Sequence, residues 1–351
     1  MGSKNKRLIE QICDWDNLVA AHKLARRGKR RRFEVVEFEQ DLWSNLGALQ
    51  MEMLHGTYRV GRYRHFVIYE PKRRDILAAP YRDRVAQHAI VGVTGPIWDR
   101  SMIADTYACR PEMGTHAGAD RVQVWLRRLA ATHGMENVWC LKMDISKYFA
   151  SISHALAKRV MARRVRCDAT LAILNHIIDS TASEGDPAPV GVPPGNLTSQ
   201  WVGNLAGDEI DQWAKRCMRL KHYIRYMDDM VVLHPSKAYL LGLREEFRDR
   251  LASLGFRFSY AEILPISRGV NFLGYRLWPH HRLLRQRSIV KMRRDMRVLR
   301  QRFEYGDVTL TDVHARIMSW LAHTAHANAH GITQAILGES VFSRGGEQAA
   351  G

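Results

Sequence analysis

The spacing of apolar positions changes several times along the chain, and each change marks a predicted element. Leu8, Ile12, Trp15 and Leu18 alternate with charge near the N-terminus. Phe38, Leu42, Leu46, Leu49 and Met53 then recur three to four residues apart, which predicts a helix with a buried face, stopped at Gly56. Between Tyr58 and Ile76 the period shortens to β-like runs around Val67-Ile68-Tyr69, with a turn at Glu70-Pro71-Lys72-Arg73-Arg74. Helical spacing returns at Arg82-Asp83-Arg84-Val85-Ala86-Gln87-His88, and again after the Gly- and Pro-bearing stretch from Tyr107 to Ala117. Val138-Trp139-Cys140-Leu141-Lys142-Met143 reads as a buried strand ending at Asp144, after which Ser146 to Ser151 turns toward helix.

In the second half, the loop Gly191-Val192-Pro193-Pro194-Gly195-Asn196-Leu197-Thr198-Ser199-Gln200 leads into a helix with Asn196 or Thr198 as the expected N-cap. Two β-rich runs, Tyr223-Ile224 and Met230-Val231-Val232-Leu233, flank Asp228 and Asp229, which predicts a hairpin with both carboxylates at its apex. A charged helix from Leu240 to Leu254 is expected to end at Gly255, and Gly269 to Leu277 reads as a strand with a glycine bend. Ile289, Met292, Met296, Leu299 and Phe303 form a three-four stripe, while Arg285, Arg287, Lys291, Arg293, Arg294, Arg297, Arg300 and Arg302 load the other faces. His323, His326 and His330 are spaced to fall near one helical face, where packing or RNA contact is a better account than a metal site without Cys or carboxylate support.

Charge narrows the class of partner. Lys and Arg number 53 against 36 Asp and Glu, a formal net charge of +17, which attracts and steers a polyanion. The basic run Arg26-Arg27-Gly28-Lys29-Arg30-Arg31-Arg32 suits either a solvated linker or phosphate contact. A chain of 351 residues, 46% hydrophobic, can bury a large core and is expected to hold two or three subdomains. The cysteines (13, 109, 140, 167 and 217) are scattered without a C-x-x-C pair, which supports neither a zinc site nor a disulfide framework and fits a reducing cytoplasm. No apolar run has membrane-spanning length, and no internal repeat is present.

Three carboxylates, Asp144 at a strand end and Asp228 with Asp229 on a hairpin, are hard oxygen donors that suit Mg²⁺. Such a set holds two ions for phosphoryl transfer, with Mn²⁺ as a substitute. Asp144 and Asp228 are the expected direct ligands and Asp229 tunes charge and position. Lys72 and Arg74 are suited to neutralise a triphosphate, Arg through its two-pronged fork.

With Asp144, the Gly195 loop and Tyr226-Met227-Asp228-Asp229 in this order, the chain resembles a reverse transcriptase from about Tyr69 to Trp278. Pro71-Lys72 with Arg82 to His88, and Cys109-Arg110-Pro111 with Thr115-His116, are similar to the fingers motifs of the bacterial enzymes. Phe272-Leu273-Gly274-Tyr275 is similar to the strand that grips the primer. The resemblance implies an α+β right-hand polymerase. Residues 1–57 would form an N-terminal helical extension, 58–137 the fingers, 138–283 a ferredoxin-like palm with a helical insertion near 155–186, and 284–351 a basic helical thumb and tail. It implies catalysis by Asp144, Asp228 and Asp229 with Ile145 joining the metal set, and a dNTP site at Lys72, Arg74, Phe149, Gly195 and Gln200. Phe149, five positions after Asp144, matches the steric gate against a 2′-hydroxyl. Template and primer fall to Arg110, Tyr226, Met227, Gly274, Tyr275, Lys291, Arg294 and Arg297.

The loop ends in Ser199-Gln200, where group II intron and retron enzymes carry Ser-Pro, and in this it looks like the phage and bacterial reverse transcriptases of diversity-generating retroelements. That resemblance implies copying of a template-repeat RNA into cDNA with errors opposite template adenines, jointly with a small basic oligomeric accessory protein. A retron or group II-like enzyme, and a non-catalytic RNA-binding scaffold, are the alternatives. Two departures stand out: Pro194 replaces the usual aliphatic residue before Gly195, and Ser259-Tyr260-Ala261-Glu262 offers no match to the lysine that many polymerases use to protonate pyrophosphate.

Overall fold

The structure is a computed structural model describing residues 7–69, 73–183 and 185–343. Four helices open the chain, α1 (Leu8–Ile12), α2 (Trp15–Ala25), α3 (Phe33–Gln40) and α4 (Leu42–Leu54). Asp14 caps α2 by accepting from the amides of Asp16 and Asn17. The one helix expected through Phe38 and Met53 is two, because Asp41 leaves the helical region at φ −131°, ψ 56° between α3 and α4. The apolar stripe survives the break, since Phe38, Leu46, Leu49 and Met53 are all buried.

β1 (Arg64–Ile68) and β2 (Arg74–Ala78) form an antiparallel hairpin with Ile68 opposite Arg74. Of the basic turn expected between them, Glu70, Pro71 and Lys72 lie outside the described residues. The next helix, α5 (Tyr81–Asp99), is the hub of the N-terminal part, with α1, α2, α3 and α4 all packed on it. Its first turn buries Asp83, whose carboxylate accepts from the Tyr58 hydroxyl (2.9 Å) and the Gly61 amide (2.7 Å). An anion there also meets the positive end of the helix dipole.

The chain continues through α6 (Thr115–His133), β3 (Trp139–Ile145), α7 (Tyr148–Ser151), α8 (His154–Ala162), α9 (Asp168–Asp179) and α10 (Leu197–Gln212). The hairpin β4 (Tyr223–Tyr226) and β5 (Asp229–His234) follows, then α11 (Lys237–Ala252) and β6 (Phe258–Pro265). These strands make a four-stranded sheet in the order β4-β5-β3-β6. β7 (Val270–Phe272), β8 (Tyr275–Leu277) and β9 (Arg282–Leu284) form a three-stranded sheet, and α12 (Gln286–Glu304), α13 (Leu310–Thr324) and α14 (His330–Gly338) complete the described chain.

Two compact units result. The first takes the chain up to Pro111, Met143–Met230 and Leu243–Ala261; the second takes Glu112–Lys142, Val231–Gly242 and the chain from Glu262. In the first, α10 is buried along almost its whole length and packs on α5 and α8. In the second, the expected glycine bend is a two-residue turn, Leu273 (φ 50°) and Gly274 (φ 89°), between β7 and β8. Positive φ at both positions is the turn geometry that matches strand twist. α12 follows its stripe: Met292, Met296 and Phe303 are buried while Lys291, Arg294 and Arg297 are exposed. Phe303 joins Val308 and Val313 in a small core with Leu299, Ile317 and Phe342 around it.

The three tail histidines do not share a helix: His323 is the penultimate residue of α13, His326 lies in the following turn and His330 opens α14. His326 stacks on His116 (centroids 3.7 Å, 15°), and the Tyr275 hydroxyl meets the Nδ1 atoms of His116 (2.9 Å) and His323 (3.3 Å). Burial first, then the neighbouring imidazoles, hold the His116 pKa below its ordinary value, which suits packed neutral rings. Among the described residues no helix is long and apolar enough to cross a membrane, and the five cysteines are free.

Candidate active site

The site sits where β3 ends beside the β4–β5 turn, within the first unit. Buried aromatic, β-branched and other apolar residues drive these strands together: Tyr223, Ile224, Met230, Val231, Val232 and Leu233 are all at most 2% exposed. Asp144 is the penultimate residue of β3 and is half-buried. The backbone amide of the next residue, Ile145, donates to the carbonyl of Asp228 at 3.1 Å, which joins the strand end directly to the turn. Only Met227 and Asp228 form that turn, and Asp229 is already the first residue of β5. The two acids expected together at the apex therefore differ in placement, one in the turn and one at the start of a strand. Met227 is 8% exposed and has φ 55°, an unfavourable conformation for a side chain of its kind.

Ser259 of β6 donates its hydroxyl to Asp144 Oδ1. Sequence reading passed over this serine, having searched that stretch only for a lysine. Outer hydrogen bonds of this kind orient a functional carboxylate. Ser259→Ala is expected to reduce the rate of RNA-templated primer extension about fivefold to tenfold, at the low end for such partners because the serine is exposed. Single-turnover kinetics would measure it, and an unchanged rate would show that Asp144 is oriented by its strand alone.

Behind the turn, α7 and α10 carry the remaining candidates. Lys147, at φ 48°, is the N-cap residue of α7, two residues after β3 ends. The Tyr148 hydroxyl donates to the Gly203 carbonyl of α10 at 2.6 Å. A Cβ on Gly203 would lie 3.0 Å from the Phe149 ring and 3.5 Å from the Met227 sulfur, so the absence of a side chain there lets both approach. The Phe149 carbonyl accepts from Val192 N at 3.0 Å, tying the Gly195 loop to α7.

At the loop's far end a Cβ on Gly195 would come 3.2 Å from the Leu77 carbonyl of β2. Asn196 occupies the N-cap position but does not cap with its side chain, as its Nδ2 donates to the Tyr63 hydroxyl at 2.8 Å. Gln87 of α5 serves instead, its Oε1 accepting from Leu197 N at 2.9 Å. Gln200 is half-buried in the first turn of α10. The loop is thereby held by β2, Tyr63, α5 and α7 together.

The other residues singled out from sequence fall in different surroundings. Arg110 is enclosed: its guanidinium donates to Asp99 Oδ1 (2.6 Å) and to the carbonyls of Ile103 (2.8 Å) and Thr106 (2.9 Å), so its action on a template would pass through the loop it braces. Tyr226 is half-buried, and burial raises its pKa, with Cys109 adding to the shift. Arg74 opens β2 and Lys72 lies outside the described residues. In the second unit, Gly274 lies in the β7–β8 turn, where a Cβ would stand 3.7 Å from the His323 ring, and Tyr275 is fully buried. Lys291 meets Asp295 one helical turn on (3.3 Å), while Arg294 and Arg297 are exposed on α12.

The donor set, Asp144, Asp228, Asp229 and the Ile145 backbone, has the hard-oxygen chemistry that Mg²⁺ or Mn²⁺ requires. Asp144 is turned to Ser259, and among the described residues no group of three or more His, Cys, Asp or Glu side chains is arranged to hold a metal ion.

Residues 72–277 match the family described as reverse transcriptase (RNA-dependent DNA polymerase). Protein YkfC of Escherichia coli (strain K12) is 27% identical over 285 residues, covering 69% of this chain and 72% of YkfC. Among solved structures, apo telomerase from Candida tropicalis truncated from its C-terminal domain aligns with a TM-score of 0.50 at 11% identity, over 68% of this chain. The chain spans 59% of that telomerase chain, and the likeness concerns the fold alone. The mixture of helices with the β4-β5-β3-β6 sheet is that of an α+β right-hand polymerase fold. Enzymes of this family generally use divalent metals. With the family match spanning Lys72 through Leu277, well over half of its length, the chain belongs to the reverse transcriptase family of RNA-dependent DNA polymerases.

Proposed function

We propose that the chain is an RNA-directed DNA polymerase of the diversity-generating type, copying a template-repeat RNA into cDNA with errors concentrated opposite template adenines. The polymerase reading is carried by the joining of the Asp144 strand end to the Asp228 turn through the 3.1 Å Ile145–Asp228 backbone bond. Asp144, Asp228 and the Ile145 carbonyl would hold the catalytic Mg²⁺, with Asp229 adjusting charge beside them. When bound, the metal supplies Lewis-acid activation of the primer hydroxyl and neutralises the triphosphate.

The protein's own groups bind and orient. Lys72 and Arg74 take the triphosphate, Phe149 faces the sugar, and the Gly195 to Gln200 loop lies under the incoming base. Tyr226, Met227, Gly274 and Tyr275 position the primer, and Lys291, Arg294 and Arg297 take backbone phosphates. In this reading β1–β2 with α5 and α6 belongs to the fingers, the four-stranded sheet is the palm, and α12 to α14 form the thumb. The subclass is supported by Ser199-Gln200 and the high positive charge, +17, which suits a large RNA. A small basic oligomeric accessory protein is the expected partner, in a bacterial cytoplasm.

Primer extension on an RNA template with dNTPs and Mg²⁺ is expected to give full-length DNA. Sequencing cDNA made with the cognate RNA and accessory protein should show substitutions mainly opposite adenine. Errors spread evenly over the four template bases would refute the subclass and leave the polymerase reading standing. Absence of any DNA product would refute both.

A further inference from the structure

Arg225 precedes the Tyr226-Met227-Asp228-Asp229 stretch by one position and is completely buried. Its Nε donates to Asp211 Oδ1 at 2.8 Å and its Nη2 to Asp211 Oδ2 at 2.7 Å, a two-pronged pair with a fully buried carboxylate of α10. Nη2 also donates to the Asn204 carbonyl (3.0 Å), and Nη1 to the Met227 carbonyl (3.1 Å). Asp211 further accepts from the Tyr223 hydroxyl and from Thr106 Oγ1, each at 2.6 Å. One guanidinium thus ties α10 to the backbone of the catalytic turn.

The helix is shaped for it. A Cβ on Gly207 would lie 2.3 Å from the guanidinium carbon, so only glycine leaves room for that group. Gly203, one helical turn earlier on the same face, admits Phe149 and Met227. Glycine inside a helix is destabilising relative to alanine, and the apposition of α10 and the turn is what these two permit.

A buried ion pair is often no more stable than apolar residues of the same volume. Apolar residues, however, donate nothing to the Met227 carbonyl. Met227 holds φ 55°, a conformation that persists only where its surroundings impose it, and Asp228 follows directly.

We propose that Arg225 is a positioning residue for the polymerase reaction: anchored by Asp211, its guanidinium holds the Met227 carbonyl and so fixes the turn that presents Asp228. The proposal rests on the polymerase reading of the site.

Two variants separate positioning from folding. Arg225→Lys keeps a charge beside Asp211, but a single ammonium cannot span Asp211, Asn204 and Met227 at once. The pair Arg225→Met with Asp211→Leu removes both charges in favour of apolar bulk. In either, kcat for primer extension is expected to fall by roughly 30-fold, within the cost of a 1 Å misplacement, while KM for dNTP stays within about threefold. Amide exchange over residues 223–232, measured on the metal-free protein, should quicken about tenfold while α11 is unaffected.

A folded variant with wild-type kcat and wild-type exchange overturns the proposal. So does a parallel rise in KM and exchange throughout the first unit, which marks a general structural role. If the double variant does not fold, Arg225→Lys decides. Extension that persists in Asp228→Ala would overturn the reading of the site instead, and the exchange measurement would still judge the clamp.

Discussion

Asp228→Ala is expected to lower kcat for RNA-templated primer extension by roughly 10³-fold or more, the scale on which a preorganised charge at a reacting centre acts. Template affinity and melting temperature should change little. Asp228 is half-buried in a two-residue turn, so truncation leaves no core cavity. The link between strand end and turn also survives, because it runs from the Ile145 amide to the Asp228 backbone carbonyl, which alanine retains. In the proposed mechanism, what is removed is negative charge that would hold the cation. Asp144→Ala should be as damaging. Asp229→Ala, at the start of β5 rather than in the turn, should lose roughly tenfold to 10²-fold in kcat, less than either. A single-turnover assay of the three variants, with RNA binding measured in parallel, gives the order. Asp228→Ala activity within tenfold of wild type would sink the assignment of the turn as catalytic centre.

The strands that place these acids and, separately, the helix α12 were readable because each is built from short-range pattern. The apolar run up to Met143 ends at Asp144, two β-rich runs bracket the acids, and the stripe from Ile289 to Phe303 becomes the buried face of α12. What the pattern could not give depends on residues distant in sequence or on backbone detail. Asn196 or Thr198 was expected to cap α10 because that is the local habit of such residues, yet Thr198 lies inside the helix, the Asn196 amide goes to Tyr63, 133 residues away, and Gln87 serves the first turn. The division of Asp228 from Asp229 rests on a turn of only two residues with positive φ at Met227, where glycine is the usual signal. The break at Asp41 and the separation of the tail histidines are likewise matters of helix boundary, where periodicity carries least information. Arg225 and Asp211 read as one charge in a strand and one on a helix, and nothing local marks them as a pair. A signal was nonetheless present: Gly203 and Gly207, one turn apart inside the helix that follows the Gly195 loop, announce that something approaches α10 closely.

Phe149→Ala is expected to raise ribonucleotide incorporation relative to deoxyribonucleotide by about 10²-fold, the discrimination that a shaped apolar wall sustains against one added hydroxyl. Phe149 is held at backbone and ring. Its carbonyl accepts from Val192 N, the Tyr148 ring packs edge-on against its own (centroids 5.7 Å), and the ring edge sits against the open face of Gly203. A wall so supported does not swing aside for a 2′-oxygen, whereas alanine leaves that space empty. Because Phe149 is half-buried, truncation should cost about 1–2 kcal/mol, less than a core Phe, so the protein remains folded for the assay. Gly203→Ala provides the contrasting case, keeping the ring but pressing a Cβ to within 3.0 Å of it. Displacement rather than removal of the wall should weaken sugar selection by less than Phe149→Ala does, and should also disturb Met227, whose sulfur lies 3.5 Å from the same point. Competition between paired dNTP and rNTP substrates on a defined RNA template measures both variants. Sugar selection unchanged in Phe149→Ala would show that the 2′-hydroxyl is excluded elsewhere, and the loop from Gly195 to Gln200 would be the next place to test.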